Sequence, residues 1–221
     1  MRTSRIQRLQ LVGFILIIIL IASCGQTPPA SDVLPTTEAT VLADDFSKPD
    51  ANWVRFETDS SAAYVLAGEF YLEDRGQRHA VYAPLLKNDY VDITIDVNVR
   101  HVQGSVNNWM GIICRQLDED NYYLFAISAD GYYVILEVRD GISVPLVGPE
   151  FSEILNLGKA ENSLRVQCRG TQLTLWANKA LLEDVTAEGI NKAGAVALFA
   201  DAVQNGEVSV AAFDNFILNS P

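Results

Sequence analysis

Trp109, Tyr122, Tyr133 and Trp176 are interleaved with Arg115, Glu137, Arg139, Arg165 and Arg169, and within each short run these residues are spaced evenly. On a strand, successive side chains alternate faces, so an even spacing collects such residues on one side. Gln167 and Thr174 share that parity. An indole or phenol ring stacks on the apolar C–H face of a pyranose, while Arg, Glu and Gln fix the orientation of hydroxyl groups. The set therefore reads as a ligand-binding platform suited to carbohydrate. It equally describes a solvated face on which long side chains pack across strands.

Other chemistry is thinly provided. His79 and His101 have no nearby Cys or His to complete a zinc site or a nucleophile–base pair. No Gly-x-Ser-x-Gly, phosphate-loop or dinucleotide motif occurs. Asp92 with Asp96, and Glu137 with Asp140, come nearest to a glycosidase pair, which needs two carboxyls about 5–10 Å apart. Glu137 has Arg139 as its same-face neighbour, an ion-pair partner rather than a second carboxyl.

Strands must position these residues. Tyr90–Val99 (YVDITIDVNV) alternates most cleanly, with Val91, Ile93, Ile95, Val97 and Val99 on one face and Asp92, Thr94, Asp96 and Asn98 on the other. Similar runs occur at 109–115, 122–128, 132–139, 163–169, 172–178, 195–201 and 207–218. Asp130-Gly131, Asp140-Gly141, Arg169-Gly170 and Asn205-Gly206 punctuate them with dipeptides suited to tight turns. Beyond residue 40 no stretch sustains a capped helical period, and Phe151–Leu157 offers one helical turn at most. A dozen or more short strands predict an all-β fold, two antiparallel sheets packed as a sandwich or jelly roll. The more apolar parity, taken as inward, buries Met110, Ile112, Cys114, Tyr123, Phe125, Ile127, Tyr132, Val134, Leu136, Val138, Leu164, Val166, Cys168, Leu173 and Leu175. Cys114 and Cys168 thus share the core side, either as a disulfide or as two separate buried thiols.

Composition bounds the rest. The 221 residues are 49% hydrophobic, enough for a packed core. A net charge of −12 argues against nucleic acid as a partner, since nothing would replace counterions along a phosphate backbone. Three cysteines are too few for a disulfide-stapled scaffold.

The start of the chain reads as an address. Residues 1–10 are basic, and Leu11–Ile21 is an apolar run too short for a spanning helix, which needs roughly 20 residues. That pattern is a secretory signal peptide. The following Ile21-Ala22-Ser23-Cys24-Gly25 resembles the lipobox of bacterial lipoproteins. The resemblance implies cleavage before Cys24 and its acylation, leaving residues 1–23 as leader and 24–41 as a lipid-anchored linker. Gly25–Thr40, rich in Pro, Thr and Ser, would reach roughly 50 Å when semi-extended. The bilayer is then a partner through acylated Cys24, and the folded domain, residues 42–221, faces outside the cytoplasm. Acidic charge makes adsorption to anionic lipid unfavourable.

Several segments together resemble the concanavalin A-like lectin/glucanase superfamily, in particular its laminin G-like and keto-disaccharide-hydrolase-like domains. They are Asp44-Asp45-Phe46, Gly111–Arg115, Asp120–Phe125, Leu164–Gly170, Leu173–Asn178, Gly194–Ala200 and Phe213–Phe216. The resemblance implies the sandwich fold, but that fold hosts lectins, glycosidases and passive spacers alike. Glucanases of the superfamily carry Glu-x-Asp-x-x-Glu along one strand, a pattern missing here. Their strand–turn–strand usually reads Val-Asn-Gly, whereas Ala177-Asn178-Lys179 lacks the glycine. Some members hold a structural calcium between the N- and C-terminal strands. By that likeness Asp45 and Asp214, beside Asp44 and Asn215, with carbonyls near Gly68, would supply part of the about six to eight oxygens calcium takes. No other cofactor is implied. The expected function is non-catalytic binding, of a glycan foremost. A keto-disaccharide-hydrolase-like enzyme and a scaffold docking another cell-envelope protein are the alternatives.

Overall fold

Alternating β-branched and polar residues leave little room for helix. The computed structural model describes residues 38–48, 52–76, 80–87, 89–204 and 206–221, and these form strands and turns throughout. In chain order the strands are β1 (Ala39–Asp44), β2 (Phe56–Glu57), β3 (Ser61–Leu66), β4 (Glu69–Asp74), β5 (Val81–Pro84), β6 (Ile93–Gln103), β7 (Trp109–Asp118) and β8 (Asn121–Ser128). They continue as β9 (Tyr132–Arg139), β10 (Ile142–Phe151), β11 (Asn162–Arg169), β12 (Gln172–Ala177), β13 (Ala180–Thr186), β14 (Ala195–Asp201) and β15 (Ser209–Ser220).

Two antiparallel sheets result. The nine-stranded sheet runs β13-β12-β11-β6-β15-β4-β3-β2, with β1 pairing the C-terminal half of β15 while β4 pairs its N-terminal half. The six-stranded sheet runs β10-β9-β8-β7-β14-β5. Between them lies the core: Ile93, Ile95, Val97 and Val99 of β6 and Leu164, Val166 and Cys168 of β11 meet Met110, Ile112 and Cys114 of β7 and Tyr123, Phe125 and Ile127 of β8. At one end Phe46, Trp53, Phe70 and Phe216 interlock, with centroids 4.8–5.9 Å apart, and the Trp53 indole N–H donates to Asp44 at 3.0 Å.

The all-β sandwich agrees with the sequence reading, and four details correct it. The folded part begins inside the expected linker: Ala39–Asp44 is already strand β1, and Glu38 accepts hydrogen bonds from Thr94 and Arg169. Val91 precedes β6 and is exposed, its carbonyl taken by Arg115. Phe151–Leu157 makes no helical turn; Phe151 ends β10, and a tight turn closes from Leu155 N–H to the Ser152 carbonyl. In β9 the parity is inverted: Tyr133 and Ile135 join the inter-sheet core, whereas Val134, Leu136 and Val138 face outward into a separate apolar cluster. The inward parity of β9 starts apolar, with Tyr133 and Ile135, and ends charged, with Glu137 and Arg139, while the outward parity lines an apolar recess, so the more hydrophobic side was not a guide.

Turn chemistry follows the residues. Asp140 (φ 50°) and Gly141 (φ 74°) link β9 to β10. Asn178 (φ 51°) and Lys179 (φ 70°) turn β12 into β13, so a lysine takes the left-handed place that glycine usually fills. That conformation costs a side-chain-bearing residue roughly 1–2 kcal/mol. Asn178 is held by Ile154, Asn162 and Ser163.

The two core-side cysteines are bonded: Cys114 of β7 and Cys168 of β11 form a disulfide between the sheets, 54 residues apart in sequence. Closing a loop of that size restricts the unfolded chain by about 4 kcal/mol in the chain-entropy account. A Cys114→Ser/Cys168→Ser variant is therefore expected to lose up to about 4 kcal/mol of stability, read as a lowered urea midpoint; the same midpoint with and without reductant in the parent chain would refute this.

Candidate functional site

The expected platform is divided between the sheets. Trp109, on β7, points outward from the six-stranded sheet, whereas Trp176, on β12, points outward from the nine-stranded sheet. Two packed sheets expose opposite outer faces, so the two indoles cannot share a ligand surface.

The half that forms as expected lies on the nine-stranded sheet. Register sets Trp176 opposite Arg165, Arg165 opposite Asp96, and Asp96 opposite Ile217, a row crossing β12, β11, β6 and β15. Arg165 grips Asp96 with two parallel bonds of 2.7 and 2.9 Å. In the next row Gln167 faces Thr94 and donates to its hydroxyl at 3.2 Å. Arg169 pairs with Glu38 at 2.7 Å. All of these but Arg169 border a recess of about 830 Å³, completed by Asn98, Ser163, Lys179 and Asn215. One half-buried indole beside a lattice of oriented donors and acceptors is a surface on which a sugar ring can stack and have its hydroxyls bonded. Sequence reasoning found Trp176 and Arg165, and Arg169 as the partner of the lining Glu38, but missed Lys179 and Asn215. The signal for Lys179 was the missing turn glycine; Asn215 carried none.

The outer face of the six-stranded sheet is apolar. Leu124, Val134, Leu136 and Val138 floor a recess of about 360 Å³ walled by Trp109, Tyr122 and Phe199 on one side and Pro145 and Pro149 of β10 on the other. Tyr122 and Phe199 are buried in it. Asp201 closes one end, its carboxyl pushed up to about 6 by burial and then by the Asp74 carboxylate. The polar groups of this recess are confined to the rim, at Tyr122, Ser143 and Asp201, so it offers fewer hydroxyl partners than the other recess.

The remaining candidates belong to neither recess. Arg115 is a correction: at φ 49° it leaves the strand parity, and its guanidinium is wholly buried, donating to the Val91 and Ile190 carbonyls and to Asp92. A buried cation persists when its donors are satisfied, so this residue ties β7 to two loops. Tyr133 is likewise corrected to the core side; its phenol donates to Glu150 at 3.2 Å and is pushed up to about 12 by burial and that carboxylate. Glu137 and Arg139 share the parity of Tyr133 and pair with one another next to Gly189, where a Cβ would strike both. His101 is buried, and burial lowers its imidazole.

Asp45 and Asp214, expected at a calcium ion, are engaged separately. Asp45 accepts from the Ser47 N–H and hydroxyl, and Asp214 from the Asn215 N–H. Asp44 accepts from Phe46 and Trp53, and Lys48 lines the same hollow as Asp44, Asp45 and Asn215. Among the described residues no three His, Cys, Asp or Glu side chains group to hold a metal ion. Cys24 and His79 lie outside the described residues.

No family model matches the sequence, and no curated protein matches it. Solved structures share the fold. The carbohydrate-binding module CBM66 from Bacillus subtilis aligns with a TM-score of 0.62 at 15% identity, over 76% of this chain and 96% of the module. The GH43 BlXynB protein from Bacillus licheniformis aligns at 0.62 and 16%, over 80% of this chain, which spans 38% of that protein. The β-glucanase of Bacillus licheniformis aligns at 0.58 and 11%, over 84% of this chain and 99% of the enzyme. The class is thus a two-sheet jelly-roll sandwich, the fold these solved structures share. Its solved neighbours include one binding module and several glycoside hydrolases.

Asp201 makes a pH prediction. Its carboxyl holds a proton to higher pH in the folded chain than in the unfolded one, so its contribution is fully present below about pH 4 and lost as pH rises through about 6. Asp201→Asn should match the parent near pH 4 and exceed it at pH 8, by about 3 kcal/mol at most. Melting curves across that range would show it, and a constant difference would contradict it.

Proposed function

We propose that this chain is an exported lipoprotein, held by acylated Cys24, whose sandwich binds carbohydrate without cleaving it through the Trp176 recess. The observation that carries the reading is the row Trp176–Arg165–Asp96 bordering an open recess of about 830 Å³. The indole supplies a stacking face, and the ion pair holds donors and acceptors in fixed directions, so little side-chain freedom is lost on binding. A binding module and glycan-cleaving enzymes among the fold neighbours are compatible with a glycan partner. Glu137, the best catalytic candidate in the sequence, is paired with Arg139 and borders neither recess. Two or more acyl chains on Cys24 would suffice for stable anchoring, since each buried CH₂ contributes about 0.8 kcal/mol.

Affinity electrophoresis of the detergent-solubilised full chain through glycan-containing gels tests the site. Retention should vanish with Trp176→Ala and persist with Trp109→Ala, whose indole lies on the other sheet. Equal loss in both variants, or no retention of the parent on any glycan, would reject it. Anchoring is checked separately by labelling cells with radioactive palmitate: label should enter the parent chain and be absent from Cys24→Ser.

A further inference from the structure

The recess carries an unbalanced charge. Four charged side chains border it, and two of its acids are already neutralised: Asp96 by the two-bonded Arg165, and Glu38 by Arg169. Lys179 has no carboxylate partner among the described residues. In a chain of net charge −12, the one unpaired charge on this lining is positive.

The position of Lys179 is unusual for a lysine. It occupies φ 70° in the β12–β13 turn, where glycine would be free of strain. A residue with a long cationic side chain in a left-handed turn is a feature from which function can be inferred when the side chain borders a site. This one does, together with Trp176.

Distance supports a specific ligand chemistry. Same-face residues along a strand are about 6.6 Å apart, close to the width of a pyranose ring. The row beyond Trp176–Arg165–Asp96 contains Ser163 opposite Asn98, with the Asn178 N–H donating to the Ser163 carbonyl at 2.8 Å, so Asn178 ends that row and Lys179 is the next residue of the turn. Lys179 and Trp176 line the same recess, so a ring stacked on Trp176 can extend an exocyclic substituent toward the turn that carries Lys179. From this we infer that the recess selects sugars bearing a carboxylate, uronic-acid residues in chemical class, with Lys179 as the counter-cation; the inference rests on the recess being the glycan site. Screening shortens the repulsion by the rest of the acidic chain to about 8 Å at physiological salt, so a contact-range cation dominates for a single carboxylate.

The test uses matched probes: trisaccharides of galacturonate, glucuronate and mannuronate, each beside its carboxyl-reduced, neutral counterpart, titrated calorimetrically into the detergent-solubilised full chain. At least one acidic probe should bind about 5–10-fold tighter than its reduced partner. Lys179→Gln should erase that ratio, and Lys179→Arg should retain it. Lys179→Gly also removes the charge but relieves the turn, so it should lose the ratio with an equal or higher Tm, which separates charge from folding. A ratio near one in the parent, or one that survives Lys179→Gln, overturns the inference while Trp176-dependent binding of neutral glycans keeps the broader reading standing. No binding of any probe or neutral glycan, with Trp176→Ala indistinguishable from the parent, overturns both.

Discussion

In a two-sheet sandwich each strand has one face for the partner sheet and one for the outside. Everything that could recognise a ligand must come from the second face, and outward residues of different sheets cannot meet. That constraint governs this molecule. It buries Cys114 against Cys168, because both stand on the inner parity of strands in facing sheets. It also divides the tryptophans, sending Trp109 to an apolar recess and Trp176 to a polar one.

The two outer faces consequently have different chemistry. On the six-stranded sheet, Leu124, Val134 and Val138 are buried although they point away from the partner sheet, sheltered by β10 and by the rings of Trp109, Tyr122 and Phe199. On the nine-stranded sheet, Arg165, Asp96, Gln167 and Thr94 are bonded to one another across β11 and β6. Such a pre-arranged polar lattice suits a hydroxylated ligand because its groups need little reorganisation. The apolar face offers few such groups, Tyr122, Ser143 and Asp201 at the rim of its recess.

Irregular backbone supplies the exceptions. Arg115 leaves its strand parity through a left-handed φ at a register shift in β7, and its side chain is spent on two carbonyls and Asp92. Asn215 does the same in β15, so that Ala211 and Phe213 before it, and Phe216 and Leu218 after it, all face the core. Lys179 is a third case, and like Asn215 it borders the Trp176 recess.

Local pattern alone determined the strand content, most turn positions and the inward residues of β6, β7, β8, β11 and β12, because a period of two survives whatever the sheets do later. It also determined Trp176, Arg165 and Arg169 as outward groups. Tertiary structure decided which strands are neighbours, and with that whether two outward residues ever meet. Nothing local says that β6 lies between β11 and β15, so the pairing of Asp96 with Arg165 was illegible. Nothing local identifies the inward face of β9 either, where the inward parity ends in Glu137 and Arg139 and the outward one is the more apolar, or reveals a change of parity at a residue such as Arg115. The alternation of side chains is a property of each strand, whereas a shared surface is a property of how distant strands are laid side by side.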